Sequence, residues 1–345
     1  MLDDKNVIQA RDPEGALNIA VNQYEQTKHD IQLINPDHDN RHIDNIVIAG
    51  MGGSTLDALV LVAWLKNSLN IPIEVLRSYS LPNYVNNNTL LILSSYSGNT
   101  EETLSVLNQG LERQAQLAIV TSGGELQAKA EQYSITSVIM PGHIQPRMAA
   151  IFGLRSLTAI LVHFGVLDID YLEQIASTAD WLQSESSNWA SDNTIDKNYA
   201  KQLALIAVGK TAVFYGGEIT SPVAYKWKIS WNENAKNLAF WNQYPECNHN
   251  EMIGWTSHPV NKPYVIFDLV SQLEHPQILK RFTISDRILS GMRPKSNIID
   301  IKGDTVIAQL LWSSILADFV SIYLAILNGV DPTPVNIVEK LKSEL

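Results

Sequence analysis

The sequence predicts an α/β protein made of two similar subdomains, each a mainly parallel β-sheet flanked by helices. A short apolar strand, a glycine turn and a helical segment occur in this order at residues 45–67 and again at residues 210–236. Further strand-like runs separated by helical or polar segments follow each of these regions, as in parallel α/β sheets. The length of 345 residues also favours two domains over one.

The first half supplies the strands of one sheet. Residues 46–49 form a short apolar run, and apolar residues then recur at helical spacing from Leu56 to Leu65. The remaining strand-like runs of this half are residues 71–79, 89–96, 115–124 and 133–141.

The second half repeats the architecture with little residue identity to the first. Its later strand-like runs are residues 236–246, 263–269 and 297–303. We expect a first domain at 1–165, a mostly helical connector at 166–200 and a second domain at 201–345.

The chain ends with a long apolar helix, whose segment 310–327 is the best candidate for a membrane span. Asp318 lies at its centre and would cost about 2.5–3.5 kcal/mol in a bilayer. We therefore predict a buried helix of a globular domain and no membrane partner.

The composition excludes several classes of protein. The chain has 25 basic and 36 acidic residues and a net charge of −11, which argues against a nucleic-acid partner. Cys247 is the single cysteine, so no internal disulfide forms, and a reducing cytoplasm fits. The amino-terminal residues show no pattern of a signal peptide.

The glycine turn at residues 50–55, GMGGST, does not fit a dinucleotide site. Its glycines stand at 50, 52 and 53, and Thr55 occupies the position where G-x-G-x-x-G needs its third glycine. The Lys of a P-loop is missing as well. What remains is a flexible turn that presents Ser54, Gly52 and Gly53 at the start of a helix.

A second turn of this kind, SSYSGNTEET, follows the strand at 89–93. Helix amino termini favour anions, short hydroxyls fit between phosphate oxygens, and glycine lets the backbone approach. The two turns together predict a phosphate cradle that needs no lysine. The alternative is that Ser97 and Thr100 only cap the helix that follows.

The chain resembles the bifunctional phosphoglucose/phosphomannose isomerase family in these two turns and in four further motifs. The four motifs are QPR (145–147), WNENAK (231–236), PECNHNE (245–251) and DPTPVNIVEKLK (331–342). The resemblance runs from about residue 45 to the end of the chain. It implies two sugar isomerase (SIS) domains, a homodimer, and a metal-free interconversion of glucose 6-phosphate, mannose 6-phosphate and fructose 6-phosphate without a cofactor. Cys247 departs from the apolar residue that we expect at its position, which concerns packing more than chemistry.

The same resemblance implies roles for particular residues. The phosphate is held by Ser54, Ser95, Ser97 and Thr100 with the glycines at 52 and 53. Four residues carry the chemistry: Arg147 near the reacting carbons, Glu233 as the base, His249 for ring opening, and Lys342, for which Lys340 is a close alternative. Because partners in this family contribute a histidine to each other's sites, we expect a site shared across the dimer interface.

Each of these assignments has a simpler alternative. Glu233 could instead pair with Lys236 three residues on, and Arg147 could form a surface ion pair. His249 with Glu251 and His258 could suggest a zinc site, but three such residues in a loop containing Gly and Pro fit zinc poorly.

Other functions of the same fold stay open. A regulatory protein that senses a sugar phosphate needs only the phosphate turns, and not Glu233, Arg147 or His249. An isomerase for glucose 6-phosphate alone would differ in whether its pocket tolerates the C2 epimer, which depends on the volume of the pocket. The segment DPTP (331–334) resembles the bifunctional group and favours dual activity.

Overall fold

The structure, a computed structural model, describes residues 1–256 and 263–344 and consists of two compact units. The first unit is Tyr24–Ala179, and the second unit is Met1–Gln23 together with Asp180–Leu345. The second unit begins with two short helices, α1 (Lys5–Arg11) and α2 (Ala16–Val21).

The grouping of the first 23 residues differs from the expected domain limits, which place residues 1–165 together. Hydrogen bonds explain the difference. The Arg11 guanidinium donates to the carbonyl oxygen of Ile326, and the Gln23 amide donates to the Asp318 carboxylate at 2.8 Å. The amino-terminal helices are therefore held by the last long helix of the chain.

The first unit contains a six-stranded sheet in the order β1-β6-β5-β4-β2-β3. All neighbours are parallel except β1, which pairs antiparallel with β6. The strands are β1 (Leu33–Ile34), β2 (Asn45–Ala49), β3 (Ile73–Leu76), β4 (Thr89–Ser95), β5 (Gln116–Thr121) and β6 (Thr136–Ile139). The helices are α3 (Leu56–Leu65), α4 (Glu101–Glu112), α5 (Gly124–Tyr133), α6 (Ala150–His163) and α7 (Asp170–Ala176).

Strand β4 is central, and every residue of it is buried. Such a strand is expected to be apolar without alternation, because helices cover both faces of a parallel sheet. The five strands predicted in this half are confirmed. The short strand β1 was not predicted, since two residues carry no periodic pattern.

The second unit contains a fully parallel four-stranded sheet in the order β10-β9-β7-β8. The strands are β7 (Thr211–Gly216), β8 (Ala239–Gln243), β9 (Tyr264–Val270) and β10 (Ser296–Asp300). The helices are α8 (Ala179–Trp189), α9 (Tyr199–Ala207), α10 (Ser221–Glu233), α11 (Cys247–Gly254), α12 (Pro276–Ile288), α13 (Val306–Asn328) and α14 (Asn336–Glu344). The α/β class and the two mainly parallel sheets predicted from the sequence are confirmed.

Helix α13 is the core helix of the second unit. Among the described residues it alone is long and apolar enough to cross a membrane, and 94% of its most apolar window is buried inside the protein. Asp318 at its centre is ion-paired with Lys226 of α10, with 2.6 Å between carboxylate and ammonium. The prediction of a buried core helix is confirmed.

Candidate active site

The first glycine turn follows β2 and is held tightly by its neighbours. A Cβ atom on Gly50 would lie 2.7 Å from the carbonyl oxygen of Ser94 and 3.0 Å from that of Ser54. A Cβ atom on Gly53 would lie 3.1 Å from the backbone nitrogen of Arg147. Small residues are therefore required here, because the backbone of this turn packs directly against two other segments.

The second turn follows β4 and is organised by hydroxyl groups. The Ser95 and Thr100 hydroxyls lie 2.7 Å apart in a hydrogen bond, and the Gly98 N–H donates to Ser95 Oγ at 3.2 Å. Ser97 is exposed, and its hydroxyl accepts the N–H of Asn99 at 3.3 Å. The turn thus presents several hydroxyls within six residues.

Thr100 stands at the N-cap of α4, but its side chain makes no capping hydrogen bond there. Its hydroxyl bonds to Ser95 instead, and the Ser97 hydroxyl bonds within the turn. The alternative that these two residues only cap the helix is therefore wrong for Thr100. Both hydroxyls remain available to a ligand as additional donors or acceptors.

A hydrogen bond joins the two turns. Strands β2 and β4 are parallel neighbours, so the turns that follow them lie at the same edge of the sheet. The Tyr96 N–H donates to Ser54 Oγ at 3.0 Å. The structure therefore brings the hydroxyls predicted for phosphate binding to one place in the first unit.

Gly98 is required by the path of the second turn. It has a φ of +69°, which L side chains rarely adopt, and a Cβ atom there would overlap the carbonyl oxygen of Gly123. A left-handed conformation and the lack of space both select glycine.

Arg147 lies in a short 3-10 turn, Pro146–Met148, in the same unit. Its side chain is only 1% exposed, and Nη1 donates to Oε1 of Gln145 at 3.1 Å. The alternative of a surface ion pair is therefore wrong. A guanidinium keeps its charge when buried, so this residue places a fixed positive charge at a buried position.

Tyr96 was not singled out from the sequence, although it lies in the middle of the second turn. Its hydroxyl donates to the carbonyl oxygen of Pro141 at 2.8 Å and lies 3.4 Å from the N–H of Ile144. It thereby fixes the loop that leads to Arg147. The sequence signal that could have identified Tyr96 is an aromatic residue inside a run of small hydroxyl residues.

Glu233 is the last residue of α10 and is half-buried. The preceding turns of this helix are anchored in the core by Trp227 and Trp231, which are fully buried. The Lys236 ammonium donates to the backbone carbonyl oxygen of Glu233 at 2.6 Å and to that of Pro332 at 3.1 Å. This lysine therefore stabilises the carboxyl end of the helix that carries the predicted base.

His249 and Glu251 lie on helix α11, which corrects the expectation of a loop in this region. His249 is exposed, whereas the carboxylate of Glu251 accepts hydrogen bonds from the Tyr215 hydroxyl and the Asn242 amide. Within the described ranges, no group of three or more His, Cys, Asp or Glu residues could hold a metal ion. His258, the third member of the zinc alternative, lies outside the described residues.

Cys247 begins α11 and is buried. Burial raises the pKa of its thiol to about 12, so the thiol is neutral and packs like an apolar side chain. The presence of Cys247 where an apolar residue is expected therefore affects packing and not chemistry.

Lys342 and Lys340 lie on α14 and are exposed. The Lys340 ammonium lies 3.9 Å from the Glu344 carboxylate, four residues on. The structure places Glu233, His249 and Lys342 on three separate helices of the second unit, and the choice between the two lysines stays a prediction.

Comparison with known proteins matches both halves of the chain. Residues 41–164 match the family described as the SIS domain, and residues 196–345 match the bacterial phospho-glucose isomerase C-terminal SIS domain. The bifunctional phosphoglucose/phosphomannose isomerase of Caldicellulosiruptor bescii is 34% identical over 88% of this chain and 90% of its own length. That of Aquifex aeolicus is 31% identical over 87% of this chain and 90% of its own length.

A solved structure shows the same fold. The crystal structure of a glucose-6-phosphate isomerase like protein from Thermus thermophilus has a TM-score of 0.66 and 17% identity, and it covers 100% of this chain and 99% of its own. With matches in both halves and relatives above 30% identity over nearly the whole length, the chain belongs to the family of bifunctional phosphoglucose/phosphomannose isomerases.

Proposed function

We propose that this chain is an aldose–ketose isomerase that interconverts fructose 6-phosphate with glucose 6-phosphate and mannose 6-phosphate. The observation that carries the proposal is the pair of hydrogen-bonded hydroxyl turns in the first unit, with a buried arginine in the same unit. The names of the bifunctional relatives supply the substrate class.

The two turns are proposed to bind the phosphate group. Ser54, Ser95, Ser97 and Thr100 offer hydroxyls, and the glycines at 52 and 53 let the backbone N–H groups approach the phosphate oxygens. A cradle of neutral donors binds a dianion through directed hydrogen bonds and the helix termini. Such a site is suited to a small phosphorylated ligand and not to an extended polyanion.

The Glu233 carboxylate is proposed to act as the base. It takes the proton from C2 of the aldose phosphate and returns it to C1 of the resulting cis-enediol, which gives the ketose. The oxidation of C2 and the reduction of C1 balance within one sugar, so the reaction needs no external electron acceptor and no cofactor. The enediol has lost the configuration at C2 and is therefore common to the glucose and mannose substrates. One base serves both of them if rotation about the C2–C3 bond presents either face of C2 to the carboxylate.

Arg147 is proposed to stabilise the enediolate. The intermediate carries negative charge on oxygen, and a fixed guanidinium in a water-poor site stabilises that charge strongly. The full burial of this side chain supports the assignment, because a buried arginine keeps its direction without reorganisation.

His249 is proposed to open the sugar ring, since an imidazole can both donate and accept a proton. Its exposed position on α11 supports a homodimer in which it reaches the site of the partner. Lys342, or Lys340, is proposed to complete the site. We place this enzyme in the cytoplasm.

The test is a pair of coupled assays on purified protein treated with EDTA, with fructose 6-phosphate as substrate. One assay follows glucose 6-phosphate, and the other follows mannose 6-phosphate. Both products at comparable rates support the bifunctional isomerase, and glucose 6-phosphate alone narrows the specificity. If neither product forms while fructose 6-phosphate still binds, the protein is a sensor; if zinc restores a lost activity, the metal-free reaction is wrong.

A further inference from the structure

The glycine turn of the second unit is built like the phosphate turn of the first. A Cβ atom on Gly216 would lie 2.7 Å from the carbonyl oxygen of Thr220, just as one on Gly50 would lie 3.0 Å from that of Ser54. In both turns the first glycine is followed four residues later by a hydroxyl residue at the start of a helix. Thr220 is therefore the counterpart of Ser54.

Each of these hydroxyls bonds to the backbone at the end of the neighbouring strand. Ser54 Oγ accepts the N–H of Tyr96 after β4 at 3.0 Å, and Thr220 Oγ1 donates to the carbonyl oxygen of Leu269 in β9 at 2.8 Å. The two turns thus occupy the same position relative to the sheet of their own unit.

The turns that follow the neighbouring strands also correspond. Five residues, 96–100, connect β4 to α4, and five residues, 271–275, connect β9 to α12. Counting back from the N-caps, Thr100 and His275, places Glu274 where the first unit has Asn99. At this position the first unit therefore carries the amide of Asn99, and the second unit carries the carboxylate of Glu274.

The Glu274 carboxylate lies in the glycine turn of its own unit. It accepts the N–H groups of Glu218 at 3.1 Å, Ile219 at 2.8 Å and Thr220 at 3.1 Å, all at the start of α10. Only 4% of the residue is exposed, and a Cβ atom on Gly217 would overlap its Oε1. Three convergent backbone donors around one carboxylate are the arrangement of an anion-binding nest.

We propose that residues 216–220 form a second oxyanion cradle and that the Glu274 carboxylate occupies it as a built-in ligand. Each chain therefore keeps one cradle, that of the first unit, open to a sugar phosphate. This statement about the open cradle rests on the phosphate site proposed above for the first unit. A phosphate is excluded from the second cradle by the volume of the carboxylate and by its negative charge.

This arrangement also has a structural role for α10. The turn that the carboxylate holds is the amino end of the helix whose carboxyl end is Glu233. An open cradle would leave three amide donors to solvent and loosen that end. The built-in carboxylate satisfies them permanently, independent of substrate.

The experiment counts phosphate sites by calorimetric titration with inorganic phosphate. We expect one phosphate per chain for the wild type and two for Glu274→Ala. The variant Glu274→Gln is the matched control, because it keeps the side-chain volume and one acceptor, and we expect it to bind one. A folded Glu274→Ala that binds no additional phosphate overturns the proposal, and so does a wild type that binds two.

The first cradle is removed by Ser97→Ala with Thr100→Ala, which we expect to weaken phosphate binding and to raise KM for fructose 6-phosphate. Adding Glu274→Ala to this double variant should restore one phosphate per chain. If the phosphate affinity of the double variant is unchanged, the proposed cradle of the first unit is refuted. The additional phosphate bound by Glu274→Ala then still tests the second cradle by itself. The two failures are thus distinguishable.

If Glu274→Ala folds poorly, its melting temperature in phosphate or acetate is compared with that in chloride at equal ionic strength. Either oxyanion should raise the Tm of the variant by more than it raises that of the wild type, because it replaces the missing carboxylate. An equal response of the two proteins contradicts the inference.

Discussion

Replacing Lys226 by methionine tests the ion pair in the core of the second unit. The lysine and Asp318 side chains are 2% and 1% exposed, and their charged atoms lie 2.6 Å apart. The carboxylate also accepts from the Ser230 hydroxyl at 2.8 Å and from the Gln23 amide at 2.8 Å. After the substitution these two neutral donors remain, and the negative charge is left buried without its counter-charge.

The size of the effect follows from that burial. Removing one partner of a buried pair costs about 3–5 kcal/mol, because the remaining ion has lost both water and its counter-charge. For a unit of this size, with a urea m value of about 2–3 kcal/mol/M, the unfolding midpoint should fall by about 1–2.5 M.

The assay is urea unfolding followed by tryptophan fluorescence. Trp64 is the one tryptophan of the first unit, so the signal reports mainly on the second. The control is Asp318→Asn, alone and combined with Lys226→Met. The asparagine keeps the shape and removes the charge, so the double variant should be more stable than Lys226→Met by about 1–3 kcal/mol.

Two results refute this reasoning. One is a loss of less than about 1 kcal/mol in Lys226→Met, which would mean that the buried carboxylate needs no counter-charge. The other is a further loss of stability when Asp318→Asn is added, which would mean that the charge itself is favourable there.

Three more predictions concern the candidate site and its support. Glu233→Gln should lower kcat by at least ~100-fold with unchanged circular dichroism, and normal turnover in the isomerase assay would remove the base assignment. Gly98→Ala should lower the free energy of unfolding in urea by at least ~2 kcal/mol, because the new Cβ would overlap a carbonyl oxygen. Gly52→Ala is the control and should lower it by less, because Gly52 has a φ of +54° but open space around it. Burial raises the pKa of Asp57 from 3.8 to about 8, so its contribution to stability is full below pH 3.8 and is lost as the pH rises through 8. Asp57→Asn should flatten the fall in unfolding midpoint between pH 5 and 8 measured by circular dichroism, and an unchanged slope would contradict this.

Most of the fold was predictable because parallel strands leave strong signals. Buried strands such as β4 contain a continuous apolar run, and each glycine turn marks the end of a strand and the start of the following helix. Strand β1 escaped prediction because a two-residue strand is set by its partner, β6, and not by its own pattern.

The candidate site was predictable as a set of residues, but its contacts were not. The hydroxyls of SSYSGNTEET indicated an anion cradle, whereas the bond from Tyr96 to Ser54 depends on the strand order. The role of Glu274 was invisible for the same reason, since its three amide partners lie more than fifty residues earlier in the chain. The burial of Arg147 likewise follows from tertiary packing and not from its local sequence.

The second unit is assembled from both ends of the chain, and this has a consequence for synthesis. A ribosome makes residues 24–179, a complete unit, before it makes any residue of 180–345. Helices α1 and α2 are made before that unit, yet Arg11 and Gln23 bond to residues of α13, which is made after it. These two helices therefore reach these native contacts only after the whole intervening unit has been synthesised.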